Sequence, residues 1–395
     1  MSAALRLAEL GRDVILVEAD LLGWGASARN AGYLTPALGS DPRIVRRFYG
    51  DRARGLYRFA NNAVDFTERL IADRRIDCGY RATGNISAAP SPANFERMRA
   101  SVKSARRSEV ADALQLGIPT TFPGGIHLRA GGVLHPGQLA LGFREIVRAS
   151  AARVFEQSPV HRVADEGDSV VISLDEGRIR ARQAILTTNA FTNGLDIAPR
   201  RLCTPVWITA VETERVTAAQ LDAAGWTSRT PITTAHFVMQ SFRTTDRDTI
   251  VYSTRSVQAA RRARADRMPD RRVVDDLARG FRGYFPGLAD VAPARAWGGW
   301  TGLTPSNMAV VGQATPRVHY SMACHGHGLP QAPYLGALLA DHVAGAEMHE
   351  DLATVWRRSR RFAPGVVNPV TLRLGWLADR ARDRLGSSGA SGELA

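Results

Sequence analysis

The opening "SAALRLAELGRDVILVEAD" constrains this chain more than any other stretch. Residues 2–10 read as a helix, residues 11–13 as a turn, and residues 14–17 as a buried strand that ends on Glu18. A helix feeding an apolar strand that ends in an acid is the continuation of a dinucleotide-binding βαβ unit. There the carboxylate accepts hydrogen bonds from ribose hydroxyls. An acid after a strand is also common as a solvated turn residue, so Glu18 needs company.

Three further stretches supply it. "GWGASARNAG", residues 23–32, combines glycines, small residues and Asn30, which lets backbone N–H groups approach an anion or a ring edge. "ILTTNAFT" is an apolar strand ending in Thr188 and Asn189, where a strand's carboxyl end meets a ligand crevice. "ACHGHGLPQAPYLG" is a glycine-rich turn entering a helix, whose N-terminus carries partial positive charge.

Between them the pattern alternates. Residues 42–73 read as helix broken near Gly50 or Gly55, and residues 94–116 as helix. A helix opens at Pro136. "RVFEQSPVHRV" reads as a strand pair, and a hairpin with an Asp-Glu-Gly turn leads to a strand at residues 184–187. Residues 206–254 are mostly strand, an arginine-rich helix runs from 255 to about 281, and another helix starts near Ala332. "WLADRARDRL" reads as a terminal amphipathic helix, followed by a Gly/Ser-rich tail, residues 385–395, expected to be disordered.

The chain has 395 residues, long enough for two domains. No run of 18 apolar residues and no signal-peptide pattern is present. Cys78, Cys203 and Cys324 are scattered without a CxxC pair, which argues against disulfides and a metal site and fits a reducing cytoplasm. The formal charge is +13, and Lys103 is the sole lysine. The densest basic run, residues 255–272, lacks aromatics to stack bases, so it reads as a solvated helix face and not as a nucleic-acid surface.

The order of the four pieces resembles the D-amino-acid oxidase-type (DAO) family of FAD-dependent oxidoreductases, and "GWGASARNAG" looks most like its gamma-glutamylputrescine oxidase branch. The resemblance implies an α/β fold: a Rossmann-like FAD-binding domain (residues 1–80, 130–205 and 298–384) interleaved with a β-rich α+β substrate domain (81–129 and 206–297). In this family a strand and a G-x-G-x-x-G turn come just ahead of the helix that begins here at Ser2. A start assigned at an internal methionine is expected; the alternative is a truncated, non-catalytic relative that does not hold FAD.

Carried over residue by residue, the resemblance places Glu18 on the adenosine ribose. Ser27, Arg29, Asn30 and Gly32 fall along the pyrophosphate and flavin, Val160 by the adenine, and Thr188 and Asn189 near the pyrophosphate. Gly326, His327, Gly328 and Leu329 fall at the pyrimidine side of the flavin. FAD is expected to be non-covalent, because the position of a flavin-linking cysteine falls near Gly299 or Trp300. No lysine aligns with the oxygen-activating position of some relatives, so oxygen and another electron acceptor both stay open. The implied reaction oxidises the C–N bond of a small amine or amino acid. His325 and His327 are the candidate bases. Arg255, with Arg243 and Arg81, is a candidate carboxylate anchor. Tyr252, Trp297 and Trp300 are candidate aromatic walls.

Overall fold

The computed structural model describes residues 1–38, 42–101, 108–197, 202–236, 238–256, 258–304, 306–322, 324–356 and 368–388. Lys103 lies outside them.

Helix α1 (Ser2–Glu9) buries Ala4 and Leu5 and leads through Gly11 to strand β1 (Ile15–Val17). The glycine-rich loop forms one helical turn, α2 (Ala26–Arg29), then β2 (Tyr33–Leu34). The long helical stretch breaks at Gly50, whose φ is +53°, into α3 (Pro42–Tyr49) and α4 (Arg52–Asp73). Gly55 stays inside α4.

Next come β3 (Asn85–Ala88) and α5 (Pro92–Ser101). Residues 108–112, expected as helix, are instead strand β4 (Ser108–Asp112), paired antiparallel with β5 (Gly124–Leu128). Pairing at a sheet edge overrides the weak local helix preference. Asp112 then caps the short α6 (Ala113–Leu116) through a capping box with Gln115. Strand β6 (Gly132–Val133) and helix α7 (Pro136–Ala149) follow.

Strands β7 (Arg153–Phe155) and β8 (Val160–Asp165) do not pair with each other, contrary to the sequence expectation. β7 runs parallel to β1, and β8 pairs with β9 (Val170–Leu174), which forms the expected hairpin with β10 (Gly177–Ala181). β11 (Ala184–Leu186) precedes the long β12 (Thr204–Thr213), helix α8 (Ala218–Ala223), and β13 (Ile232–Thr234), β14 (Gln240–Thr244) and β15 (Ile250–Thr254).

The arginine-rich stretch is not one helix. Residues 258–259 form β16 (Gln258–Ala259) on β12, and α9 (Arg271–Tyr284) begins only after Pro269, with the Asp270 side chain accepting from Arg272 N at 2.9 Å. Proline turns its predecessor away from helix, and Asp is a strong N-cap. Nor is the stretch a fully solvated face: the Arg267 guanidinium lies 5.4 Å and 5.1 Å over the rings of Trp207 and Trp300.

β17 (Pro293–Leu303), β18 (Val310–Thr315) and β19 (Val318–Met322) lead to α10 (Gly328–Val343), which starts four residues before Ala332, then α11 (Glu350–Val355) and α12 (Asn368–Ser388). Residues 385–388, expected in the disordered tail, belong to α12; residues 389–395 lie outside the described part.

The largest sheet has nine strands, in the order β16-β12-β15-β14-β13-β3-β5-β4, with β17 also on β12. It gathers residues from both stretches assigned to the substrate domain. β12 and β17 overrun the expected boundaries, because they pair with each other along nearly their whole length. One face is covered by α9, where Phe242, Tyr252, Phe281 and Phe285 are fully buried. Parallel pairs β1-β7 and β11-β19 belong to the other, nucleotide-type part.

Helix α1 is bound to α10, far along the chain: Ser2 Oγ donates to Pro333 O at 2.6 Å, and Arg6 Nε to Asp341 Oδ1 at 2.7 Å. Helices α4, α10 and α11 meet at the Asp351 carboxylate, which is wholly buried and accepts from Arg58 Nε at 2.9 Å, Asn62 Nδ2 at 2.7 Å and Tyr334 OH at 2.8 Å.

Candidate functional site

A cavity of about 2950 Å³ runs from the ends of β1 and β11, past the turn before α10, to the face of the nine-stranded sheet opposite α9. Ordinary small-ligand pockets hold roughly 300–1,000 Å³. The space therefore admits a dinucleotide together with a substrate.

Ser27, Arg29 and Asn30 of the glycine-rich loop line it. Asn30 Nδ2 donates to Ala26 O at 3.1 Å and Ser27 O at 2.8 Å, which closes the α2 turn. Arg29 lies 4.2 Å over the Trp24 ring and donates to Trp24 O at 2.9 Å, while its own carbonyl accepts from Trp297 Nε1 at 3.0 Å. The loop is thus fixed to β17. Val160, Thr188 and Asn189 line the same cavity, as do Gly326, His327, Gly328 and Leu329.

Two residues assigned to the cofactor do not line it. Glu18 lies one residue beyond the lining residue Val17; its carboxylate accepts from Asp20 N at 3.1 Å, and burial pushes its carboxyl above the usual range. Gly32 serves the backbone. Its φ is +81°, its carbonyl accepts from Leu134 N at 2.9 Å, and a Cβ there would stand 2.3 Å from Leu134 O.

The residues fit FAD in chemistry as well as in space. α10 starts at Gly328 with no side chain capping it, so its first N–H groups remain as donors at the cavity, with the helix's partial positive charge behind them. That is the environment an electron-rich ring edge or anion requires.

His325 and His327 both line the cavity. His325 Nδ1 accepts from Thr304 N at 3.2 Å, which places its proton on Nε2. His327 Nδ1 faces His325 O at 3.0 Å and must donate to it, which leaves the His327 Nε2 lone pair unused by that bond. Burial, and then the neighbouring His327, push His325 down to about 3; burial also lowers His327. Both rings are therefore neutral near pH 7.

A stability prediction follows from that shift. The unfolded chain protonates these histidines near pH 6.5, whereas the folded chain does not. Below that pH the unfolded state binds more protons, so His325 makes stability fall as pH falls from 6.5 toward 3, by up to about 1.4 kcal/mol per pH unit, and His327 adds to the decline below 6.5 in the same direction. Urea midpoints measured from pH 8 to pH 4 should decline below 6.5, and H325N should flatten the decline. An unchanged slope in H325N would contradict the assignment.

Other candidates lie elsewhere. Tyr252 is 1 % exposed and stacks on Phe281 at 4.8 Å between ring centroids, so it belongs to the core under α9. Arg255 is outside the lining, and its Nη1 donates to Val238 O at 2.9 Å. Arg243 is buried, which pushes it down to about 10, and its Nε donates to Ala31 O. Arg81 Nη2 donates to Thr244 O at 2.8 Å. Trp300 lines the cavity and Trp297 does not. Cys324 lines it half-buried, and desolvation pushes its thiol up to about 11, which makes it a poor nucleophile.

Sequence reasoning missed the sheet wall. Ser87, Thr233, Ser241 and Ser253 occupy successive strands and all line the cavity, with Asn85 beside them. Alternation along each strand hints at a face, but only the register brings the hydroxyls side by side.

Among the described residues, no helix is long and apolar enough to cross a membrane. The chain is similar to gamma-glutamylputrescine oxidoreductase of Escherichia coli (strain K12), at 27% identity over 87% of this chain and 81% of that protein. The fold is shared with glycine oxidase from Geobacillus kaustophilus, with a TM-score of 0.76 at 16% identity, covering 92% of this chain and 96% of that one. It is shared also with L-proline dehydrogenase from P. horikoshii, with a TM-score of 0.70 at 15% identity, covering 89% of this chain and 92% of that one. A model of the DAO family, described as FAD dependent oxidoreductase, matches residues 1–342. The chain belongs to this family of FAD-dependent oxidoreductases.

Proposed function

We propose that this protein oxidises the C–N bond of a small amine, with FAD held non-covalently in the cavity. The observation that carries the reading is the uncapped start of α10, which shares one cavity with the wall of the nine-stranded sheet. When bound, FAD would supply the acceptor for the hydride equivalent from the carbon next to nitrogen, and the resulting imine would hydrolyse in water. Ser27, Arg29 and Asn30 would line the pyrophosphate and flavin, Thr188 and Asn189 the pyrophosphate and Val160 the adenine, while Gly326, His327, Gly328 and Leu329 would present backbone to the pyrimidine edge. The hydroxyl-rich sheet wall faces the substrate. His327 takes the ammonium proton on Nε2, since burial keeps that nitrogen unprotonated. His325, anchored by Thr304, positions it.

The substrate class rests on the relatives' names: one acts on gamma-glutamylputrescine, the others on glycine and L-proline. The test is a purified protein incubated with FAD, desalted, and mixed anaerobically with each of these three compounds. Retention of the visible flavin band and its bleaching by at least one is expected. Acid precipitation should release all the flavin into solution. Folded protein that retains no flavin, or retained flavin that none of the three bleaches, would overturn the reading.

A further inference from the structure

The sheet wall carries one polar atom with nothing to bind. Asn85 is 5 % exposed, lines the cavity, and its Oδ1 has no hydrogen-bond partner. Its amide orientation follows from the protons around it. Thr233 Oγ1 donates to Ile86 O at 3.5 Å, so it has only a lone pair for Asn85, and Asn85 Nδ2 donates to it at 3.0 Å. The carbonyl oxygen is thereby left as a free acceptor.

Register extends the feature. Ser87 stands opposite Thr233, Thr233 opposite Ser241, and Ser241 opposite Ser253. The row ends on Ala210 at one side and Ile126 at the other. Ser241 Oγ and Ser253 Oγ are 2.8 Å apart. The row contains no charged side chain. Arg243, two residues along from Ser241, is turned onto the Ala31 carbonyl and outside the lining. A substrate carboxylate would meet no countercharge from this row, whereas hydroxyls and a bare carbonyl together match a group that both gives and accepts hydrogen bonds.

We propose that this wall is a specificity subsite for a neutral amide, with Asn85 Oδ1 accepting the amide N–H and the Ser87, Ser241 and Ser253 hydroxyls supplying the donor to its carbonyl. The protein then selects amines that bear an amide at a distance from the oxidised nitrogen, over plain alkylamines and over amino acids whose carboxylate would fall here. The inference rests on the proposed reading of the cavity as an amine-oxidising site.

The experiment compares N-acetyl-1,4-diaminobutane with hexylamine, two primary amines of which only the first has an amide. Dissociation constants are measured by calorimetry on FAD-incubated protein, with flavin content recorded for each sample. Wild type is expected to prefer the amide by about fivefold, the worth of one net hydrogen bond. N85L should lose most of that preference while binding hexylamine as before, and S241A should lose part of it. Unfolding midpoints show which variants are folded, and S241A carries the test if N85L is not. Equal affinity for the two probes in wild type, or an unchanged ratio in both folded variants, overturns the subsite. Absence of flavin overturns instead the reading on which it rests.

Discussion

Replacing Gly131 by alanine is expected to destabilise the protein by about 4 kcal/mol, the sum of a left-handed backbone penalty and overpacking. Gly131 has φ +76°, and a Cβ there would stand 1.9 Å from Leu34 O, a backbone atom with no rotamer to move. The site joins two parts of the molecule. Next to it Gly132 pairs with Leu34 of β2, Val133 bridges to Arg81, and Gly84 N donates to Gly131 O at 2.9 Å. Alanine forces β2 and β6 apart, and β2 directly follows the glycine-rich loop of the cavity. Urea unfolding of G131A should show a much lower midpoint, and a midpoint matching wild type would refute the close approach.

D351L is expected to cost about 3 kcal/mol, since it leaves buried donors without their acceptor. Tyr334 OH and Asn62 Nδ2 lose their partner inside the protein. Arg58 is 41% exposed along its side chain and can turn to water, which keeps the cost toward the lower end for a broken buried pair. D351N keeps an acceptor oxygen and should recover a good part of the loss. The carboxylate ties α10 to α4 and α11, so D351L should also loosen the turn at residues 325–328 and weaken flavin retention. Urea unfolding and flavin content after desalting report the two effects, and wild-type values in both would remove Asp351 from its structural role.

The parts of this architecture legible in the sequence were those written in short-range pattern. The α1–turn–β1 stretch, the break at Gly50, the start of α7 at Pro136 and the β9-β10 hairpin all have local causes: apolar spacing, a left-handed glycine, a proline in a first turn, a tight loop. β4 was missed because its residues form a strand only through pairing with β5. The arginine-rich stretch looked helical by composition, yet Pro269 and Asp270 delay the helix to Arg271. The cavity residues legible in the sequence belong to loops at strand ends, where glycine and small polar residues betray ligand contact. Residue type alone singles out Tyr252 and Arg255, and a sheet has two faces. The hydroxyl row was beyond reach, since it depends on four strands drawn from residues 87 to 253 falling into one register.

The pairing of α1 with α10 sets a timetable for synthesis. Ser2 and Pro333 are separated by 331 positions. At roughly 5–20 residues per second, the ribosome needs about 15–65 s to deliver the second partner after the first. Through that interval Ser2 and Arg6 lack the Pro333 carbonyl and the Asp341 carboxylate that hold α1 in place. The nucleotide-type part therefore completes this contact only after residues 328–343 have been made, long after α1 itself.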